Sequence, residues 1–501
     1  MAEQEAAQPQ GAGAIVEVDE FDALLNKEFK PRTEDAGKEV SSAVRTLAAQ
    51  ALAKAEKEGQ VMSGAVVATI KQMIAEIDAK LTAQINEILH HAEFQKLEGA
   101  WRGLHYLVKE TETGTDLKIR VMAVSKDELG DELAKYPGTD WDQSPLFKKL
   151  YENAYGVLGG EPYGAIVGDY HFDHSGPDVD LLGDMAKIAA ACHAPFITGA
   201  SASLFDMDDW ADINARKDLA TLFESPPYME WNALRERDDA RYIGLAAPRF
   251  LSRRPYGANN PVDAFAFEEE TGGDDSTKFT WANAAYAMAA NINRAYKLYG
   301  WCSRIRGVES GGMVQNLPTH TFQTEKGAWG SQCPTEVSIP DRREAELANL
   351  GLMPLIYKQG SNEAAFIGAQ SLHKPPQFDD SPQGQTATKN AMLGARLPYI
   401  FACSRFAHFL KHMVRNKIGS YMEKEDMRKW LNSWILNYVE SSDNASEVAK
   451  AKRPLKAAEV VVDEDPENPG MYSAKFFLRP HYQLEGANIS LRLVSKLPSE
   501  G

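Results

Sequence analysis

The sequence predicts a multi-domain, mixed α/β protein: a helical N-terminal region, a body of alternating strands and helices, and a C-terminal run of strands. Three observations carry this. Apolar residues recur at helical spacing from Ile70 to Ile88, the pattern turns to short strands between helices from about residue 117, and the C-terminus alternates with period two. The expected organisation is an N-terminal arm over 1–60, a long-helix region over 61–115, the α/β body over 116–440 and C-terminal strands over 441–501.

Residues 1–13 are rich in Gln, Ala and Gly, the composition of a disordered segment. "AIVEVDEFDALLNKEF" follows, with strand-like Ile15, Val16 and Val18 leading into an acidic helix. No proline lies between Pro31 and Pro137, so long helices are permitted there. Ile70, Ile74, Ile77, Leu81, Ile85 and Ile88 form one stripe of a helix about six turns long. Such a stripe serves either a core or a helix-pairing seam, and its spacing does not choose between them.

In the body, "LKIRVMAV" alternates as a strand and "GAIVGDY" reads as a short buried one. "VDLLGDMAKIAAACHA" is a helix, and strand-like "PFITGAS" follows it. "FTWANAAYAMAANINRAYKLYGW", "LPYIFACSRFAHFLKHMVRNKIGS" and "DMRKWLNSWILNYV" are further helices, while "QSLHKPPQFDDSPQGQTATKN" is the clearest loop. Near the end, "AEVVVDED" and "YSAKFFLRP" flank the turn Pro466-Glu467-Asn468-Pro469-Gly470. In "NISLRLVSKLP", Ile489, Leu491, Leu493 and Leu497 share one face, and Ser490, Arg492 and Lys496 take the other. No amphipathic helix follows to cover this meander, so its edges need a partner.

Composition narrows function. Hydrophobic residues make up 44% and charged residues 25%, with a net charge of −17, which disfavours broad binding to nucleic acid. No apolar run is long enough to span a bilayer, and the N-terminus lacks the order of a signal peptide. Cys192, Cys302, Cys333 and Cys403 form no CxxC pair, as expected of free thiols in the cytoplasm.

Catalytic motifs are missing. There is no P-loop and no HExxH; "GVLGGEPYGAIVG" lacks the dinucleotide-binding spacing, and "GASASL" fails the nucleophile elbow at its last glycine. The sharpest candidate is "GDYHFDHSGPDVD", where Asp169, His171 and Asp173 share a strand face and His174 and Asp178 follow. Carboxylate and imidazole donors suit zinc or iron, which would make a metal-dependent hydrolase or oxygenase using Asp169, His171 and His174. The competing reading is a strand end and a polar loop, with Asp178 near a helix N-terminus. His90 and His91, adjacent on a helix, point in different directions. Arg249, Arg253 and Arg254 suit either an anionic partner or internal ion pairs. Pro340 and Asp341 mark a helix start, and Trp101, Trp281, Trp301, Trp430 and Trp434 read as core or interface packing. No catalytic residue, cofactor or metal is expected.

Eight stretches together resemble one family: "EFQKLEGAWRGLHYLV", "DQSPLFKKLYENAYGVLGGEPYGAIVGDY", "AAACHAPFITGAS", "PRFLSRRPYG", "WANAAYAMA", "CPTEVSIPDRREAELANLG", "LPYIFACSRFAHFLKHMVRNKIGS" and "LRPHYQLEGANISLRLVSKLP". They resemble the large subunit of the type VI secretion contractile sheath, the TssC/VipB family, from roughly residue 60 to 498. The resemblance implies a structural role. Members pair with a small sheath subunit (TssB/VipA-like) and polymerise with further copies into a helical sheath around an inner tube (Hcp-like). The sheath stands on a baseplate anchored at the inner membrane through a membrane complex. Its contraction propels tube and spike, and an AAA+ unfoldase (ClpV-like) recycles it, usually through the small subunit. The family's C-terminal strands lie in a sheet completed by neighbouring subunits. Strand contacts are then expected at Ile15, Val16, Val18, Phe476, Leu478, Ile489, Leu491, Leu493 and Val494, and small-subunit helix contacts at Ile70, Ile74, Ile77, Leu81 and Ile85. The rival readings are the metal enzyme above and an adaptor that never polymerises.

Overall fold

The computed structural model describes residues 63–272, 275–323, 329–464 and 472–484, with Lys38, Ser42, Ala43 and Thr46. The chain divides into two compact units: one holds the described residues through Leu89 with Tyr256–Glu269, the other His90–Pro255 and the chain from Glu270 onward.

In the first unit, α1 (Ser63–Leu89) is an uninterrupted helix. Leu89 is buried and the Asn86 amide donates to the Glu268 carbonyl, which ties the C-terminal end of α1 to Tyr256–Glu269. That segment closes on itself: Glu269 N–H donates to the Tyr256 carbonyl, and Tyr256 N–H donates to the Glu269 carboxylate.

The second unit is built on a six-stranded sheet in the order β1-β2-β3-β9-β10-β6. β1 (Ile166–Phe172), β2 (Phe196–Ala200), β3 (Ile243–Ala247) and β9 (Leu352–Tyr357) run parallel; β10 (Ala364–Phe366) and β6 (Met313–Val314) continue antiparallel. β2 and β3 are buried throughout, as parallel strands covered on both faces are. Successive residues feed opposite cores: Phe196, Leu245 and Leu352 join one apolar cluster, Ile197, Ala246 and Met353 the other. The first packs on α3 (Gly176–Cys192) through Leu181, Leu182, Met185 and Ile188; the second packs on α4 (Ala284–Tyr299) through Ala285, Met288 and Ile292. Two short ladders lie outside the sheet, β4 (Phe250–Leu251) with β5 (Trp281–Ala282) and β7 (His320–Gln323) with β8 (Trp329–Gln332).

α2 (Ala92–Lys109) lies against β5 and α4 through two glycines. A Cβ on Gly99 would sit 2.3 Å from the Trp281 carbonyl oxygen, and one on Gly103 would sit 2.4 Å from the Tyr286 ring. Only hydrogen at those positions allows the approach. The C-terminal part joins α5 (Leu397–Lys417) and α6 (Lys424–Leu436) to an antiparallel hairpin, β11 (Leu455–Glu464) with β12 (Tyr472–Pro480). Their shared core holds Trp301, Phe406, Leu431, Ile435, Val460 and Val462.

One strand expectation is corrected. "LKIRVMAV" forms no ladder. Ile119 and Val124 anchor it in the two clusters, while Lys118 and Arg120 pair with Glu161. Alternation reports an extended backbone; it does not supply a neighbour. A π-helix at Lys148–Gly156 had no sequence signal, and it is held by α5: Arg415 donates to the carbonyls of Tyr155 and Val157.

Candidate functional site

The proposed metal ligands do not converge. Asp178 sits in the first turn of α3, where Lys126 approaches at 2.6 Å and Asp173 N–H donates at 2.8 Å. Asp173 accepts from Ser175 N–H and the Ser203 hydroxyl, both at 2.9 Å. Burial opposes its charge, but those bonds and Lys126 hold its carboxyl below the ordinary value. Asp169 is raised by burial and bonded to the Asn283 and Tyr286 side chains. His171 is pushed down to about 3 by burial, with Arg249 and Lys126 adding to the effect. His174 stacks on Tyr228 with centroids 4.2 Å apart. Among the described residues no group of three or more His, Cys, Asp or Glu side chains could hold a metal ion. Asp173 and Asp178 instead secure the β1–α3 turn, a strand end and helix start.

The arginines close internal pairs. Arg249 Nε donates to Glu336 at 2.9 Å, and Arg249 N–H donates to the other carboxylate oxygen at 2.8 Å. Arg253 meets Glu98 at 2.7 Å.

Backbone edges and apolar faces without partners are what the described surface offers. β12 alternates half-buried and exposed along its length. Phe476 and Leu478 turn inward onto the core beneath the hairpin, while Phe477, opposite Glu459, is 58% exposed. The start of β11 is covered, because Tyr438 and Glu440 exchange backbone bonds with Leu455. β12 pairs only with β11, so its far edge is open among the described residues.

At the base of this hairpin lies a groove of about 610 Å³ lined by Arg304, Arg306, Lys450, Lys456 and Arg479, with Asp443 and Glu447 opposing them. The chain leaving β12 is fastened there: Gln483 donates to the Ser303 carbonyl at 2.7 Å and accepts from Arg306 Nε at 2.8 Å. Leu484, where the described chain ends, is 82% exposed. Sequence reasoning missed Gln483 and the groove, since neither has a local signal. Ile15, Val16, Val18, Ile489, Leu491, Leu493 and Val494 lie outside the described residues.

On α1, Ile74, Ile77, Leu81 and Ile88 are exposed and Ile85 is half-buried; the Ile70 side chain lies outside the described ones. α2 carries a second apolar face, also missed. Leu97 (56% exposed), Trp101 (65%) and Val108 (48%) stand opposite Gly99 and Gly103. With Phe94 and Leu104 they fall at alternating spacings of three and four, a helix-pairing seam legible in "EFQKLEGAWRGLHYLV". These surfaces suit protein binding by strand addition and helix pairing.

Two family profiles match the chain. Residues 71–373 match VipB, the EvpB/VC_A0108 tail sheath N-terminal domain, and residues 386–497 match VipB_2, the EvpB/VC_A0108 tail sheath gpW/gp25-like domain. The chain is 59% identical over 492 residues, 98% of its length and 97% of the relative's, to the type VI secretion system sheath protein TssC1 of Pseudomonas aeruginosa strain PAO1. Among solved structures, a chain of the cryo-EM anti-feeding prophage (AFP) baseplate aligns over 64% of this chain and 67% of that one, at 9% identity and a TM-score of 0.35.

Proposed function

Because the chain belongs to the VipB (EvpB/VC_A0108) tail sheath family of type VI secretion, we propose that it pairs with a small sheath subunit and polymerises around an inner tube. The sheath would stand on a baseplate, and its contraction would drive the tube and its spike out of the cell. The observation that carries the reading is β12: a strand with an open far edge, held on a packed base. β-augmentation there joins copies through backbone hydrogen bonds, which tolerate rotation of the body behind each strand. The acidic arm around residues 15–25 of a neighbouring copy suits that edge, since the groove below it carries five Lys and Arg side chains against two carboxylates.

The sequence has no P-loop, so the contraction energy is stored in the lattice rather than drawn from ATP at this chain. An extended arrangement relaxing to a better-packed one needs only a few kcal/mol per subunit when many move together. In this scheme 1–60 is an inter-subunit arm, 61–115 faces the small subunit, 116–440 is the sheath body and 441–501 supplies the exchanged strands. The exposed α1 stripe then takes a helix of the small subunit, and recycling by an AAA+ unfoldase acts through that subunit. Among the described residues no helix is long and apolar enough to cross a membrane, consistent with assembly in the cytoplasm and attachment through other components.

Co-expression with the small subunit and electron microscopy tests this. Tubules are expected, and Leu491→Pro or Leu493→Pro should abolish them by removing a ladder N–H. Discrete heterodimers at every concentration would support a non-polymerising adaptor, and normal tubules from both proline variants would refute strand exchange.

A further inference from the structure

We propose that the groove at the base of the β11–β12 hairpin is a binding site for a small anion that carries two adjacent phosphoryl groups. The site goes beyond the sheath reading above, and its binding test does not depend on that reading.

The groove gathers cations from three separate stretches of chain. Arg304 and Arg306 come from the segment after α4, Lys450 from the short helix Glu447–Lys452, and Lys456 and Arg479 from the two strands of the hairpin. Among the described residues two carboxylates line it with them. Asp443 takes Lys456 at 2.7 Å, and Glu447 lies 3.6 Å from Lys450. The guanidiniums of Arg304 and Arg479 face rings instead. Arg304 lies over Tyr299 and donates to the Glu309 carbonyl, while Arg479 lies over Tyr482. Burial, then the charges of Lys450 and Lys456, hold the His481 imidazole below its ordinary value. Positive charge collected in a concave site, on a chain of net charge −17, concentrates anions there.

Two further features point to an oxyanion. Among the described residues, Ser303 Oγ and His481 Nε2 are buried without a hydrogen-bond partner, and both residues line the groove. A buried polar atom left unmatched marks a place where solvent or a ligand completes the structure. The first turn of α5 also lines the groove, through Pro398 and Tyr399, so the positive end of a 21-residue helix adds to the field.

Volume and lining set the ligand's class. About 610 Å³ falls within the range of small-molecule sites and exceeds what a single ion fills. Arginine forks take phosphoryl oxygens two at a time, and a diphosphate offers such oxygens on adjoining phosphorus atoms. An acidic segment in extended conformation presents carboxylates to one face only every ~7 Å, so it spreads its charge along the edge of β12. Ile367, Tyr399 and Tyr482 add apolar surface for the organic part of a diphosphate ester. On the sheath reading above, an occupied groove no longer offers its charge to the acidic arm of a neighbouring copy, so the ligand restrains assembly.

The test is isothermal titration calorimetry of the full-length chain with inorganic pyrophosphate and, separately, with ADP, both without divalent cations. One saturable site per chain is expected. The double variant Arg304→Gln/Arg479→Gln should weaken it by about tenfold or more. Lys450→Gln, which touches neither ring contact, should weaken it about threefold and serves if the double variant fails to fold. Lys118→Gln/Arg120→Gln removes an exposed basic pair outside the groove and should leave binding unchanged. ADP binding more tightly than pyrophosphate makes the ligand a diphosphate ester, and pyrophosphate binding alone makes it the free inorganic anion; either result sustains the site. No saturable binding of either probe overturns the proposal. Binding that survives both groove variants, or falls equally in Lys118→Gln/Arg120→Gln, overturns it as well. The measurement needs no tubule, so its failure leaves strand addition at β12 standing.

Discussion

Arg253 closes on Glu98 at 2.7 Å, with 6% of the arginine and 11% of the glutamate side chain exposed. The same carboxylate accepts from Arg102 at 2.7 Å and from the Thr280 hydroxyl at 2.9 Å. This pair clamps α2 onto the β4–β5 ladder, and it fixes which face of α2 stays outside.

Glu98→Gln should destabilise the chain by about 3 kcal/mol, because it removes the carboxylate charge from a buried, hydrogen-bonded ion pair. Urea unfolding measures this, and a loss below about 1 kcal/mol would show that the clamp contributes little. Burial works against the charge, yet Arg253 and Arg102 hold the Glu98 carboxyl below its ordinary value of 4.5. Its stabilisation is therefore present above pH 4.5 and is lost as pH falls through the depressed folded value.

Gly99→Ala should cost about 1–3 kcal/mol, because the new methyl meets the Trp281 backbone, which cannot rotate away. Gly103→Ala meets a ring instead, so Tyr286 can shift and the loss should be smaller. Thermal unfolding of both variants checks the order; equal stability with wild type would mean that α2 sits further from β5.

His408 is pushed down to about 4 by burial, while its Nε2 stands 2.8 Å from the Cys192 carbonyl. It stays neutral in the folded chain and takes up a proton on unfolding below the ordinary histidine value of 6.5. The stabilisation is present above pH 6.5 and declines as pH falls toward about 4. His408→Gln keeps a donor for Cys192 and removes the titration, so its stability should fall less steeply over that window. The difference should reach about 3 kcal/mol at the acid end, and parallel profiles would exclude His408 as the source.

Phe476 and Phe477 should separate folding from assembly. Phe476→Ala removes packing beneath the hairpin and should cost about 2–3 kcal/mol. Phe477→Asp, on the exposed face, should change stability by less than about 0.5 kcal/mol while reducing tubule yield. Normal tubules from a folded Phe477→Asp chain would remove that face from the contact.

A paired Ile77→Asp and Leu81→Asp substitution should leave unfolding nearly unchanged, since these side chains are 42% and 40% exposed. Co-purification of the small subunit should be lost. A folded variant that still recovers it in full would place the small subunit elsewhere.

The parts legible beforehand were those in which one side chain's chemistry implies its partner. Arg249 and Arg253 in an acidic chain suited internal carboxylates as well as an anionic partner, and Glu336 and Glu98 are the internal partners. The Asp169 to Asp178 cluster kept two readings in sequence, because spacing along a strand and loop cannot say that Lys126, from a distant segment, pairs with Asp178. "LKIRVMAV" misled: its alternation is genuine, but a ladder needs backbone bonds to a second strand, and none joins it to a described strand. The groove behind the hairpin was invisible because its cations come from residues 304 to 479 and meet only after folding.

The sequence by itself determined the family, the long α1 helix, strands β1 and β2 of the α/β body and the absence of a P-loop or metalloprotease motif. Only the tertiary structure decided which apolar stripes remain uncovered: those of α1 and α2 do, while the equally apolar α4 is buried between α2 and the sheet. The physical reason is that periodicity states which side chains share a face, whereas burial depends on what the rest of the chain brings to that face. Among the described residues nothing is brought to the exposed faces of α1 and α2 or to the far edge of β12.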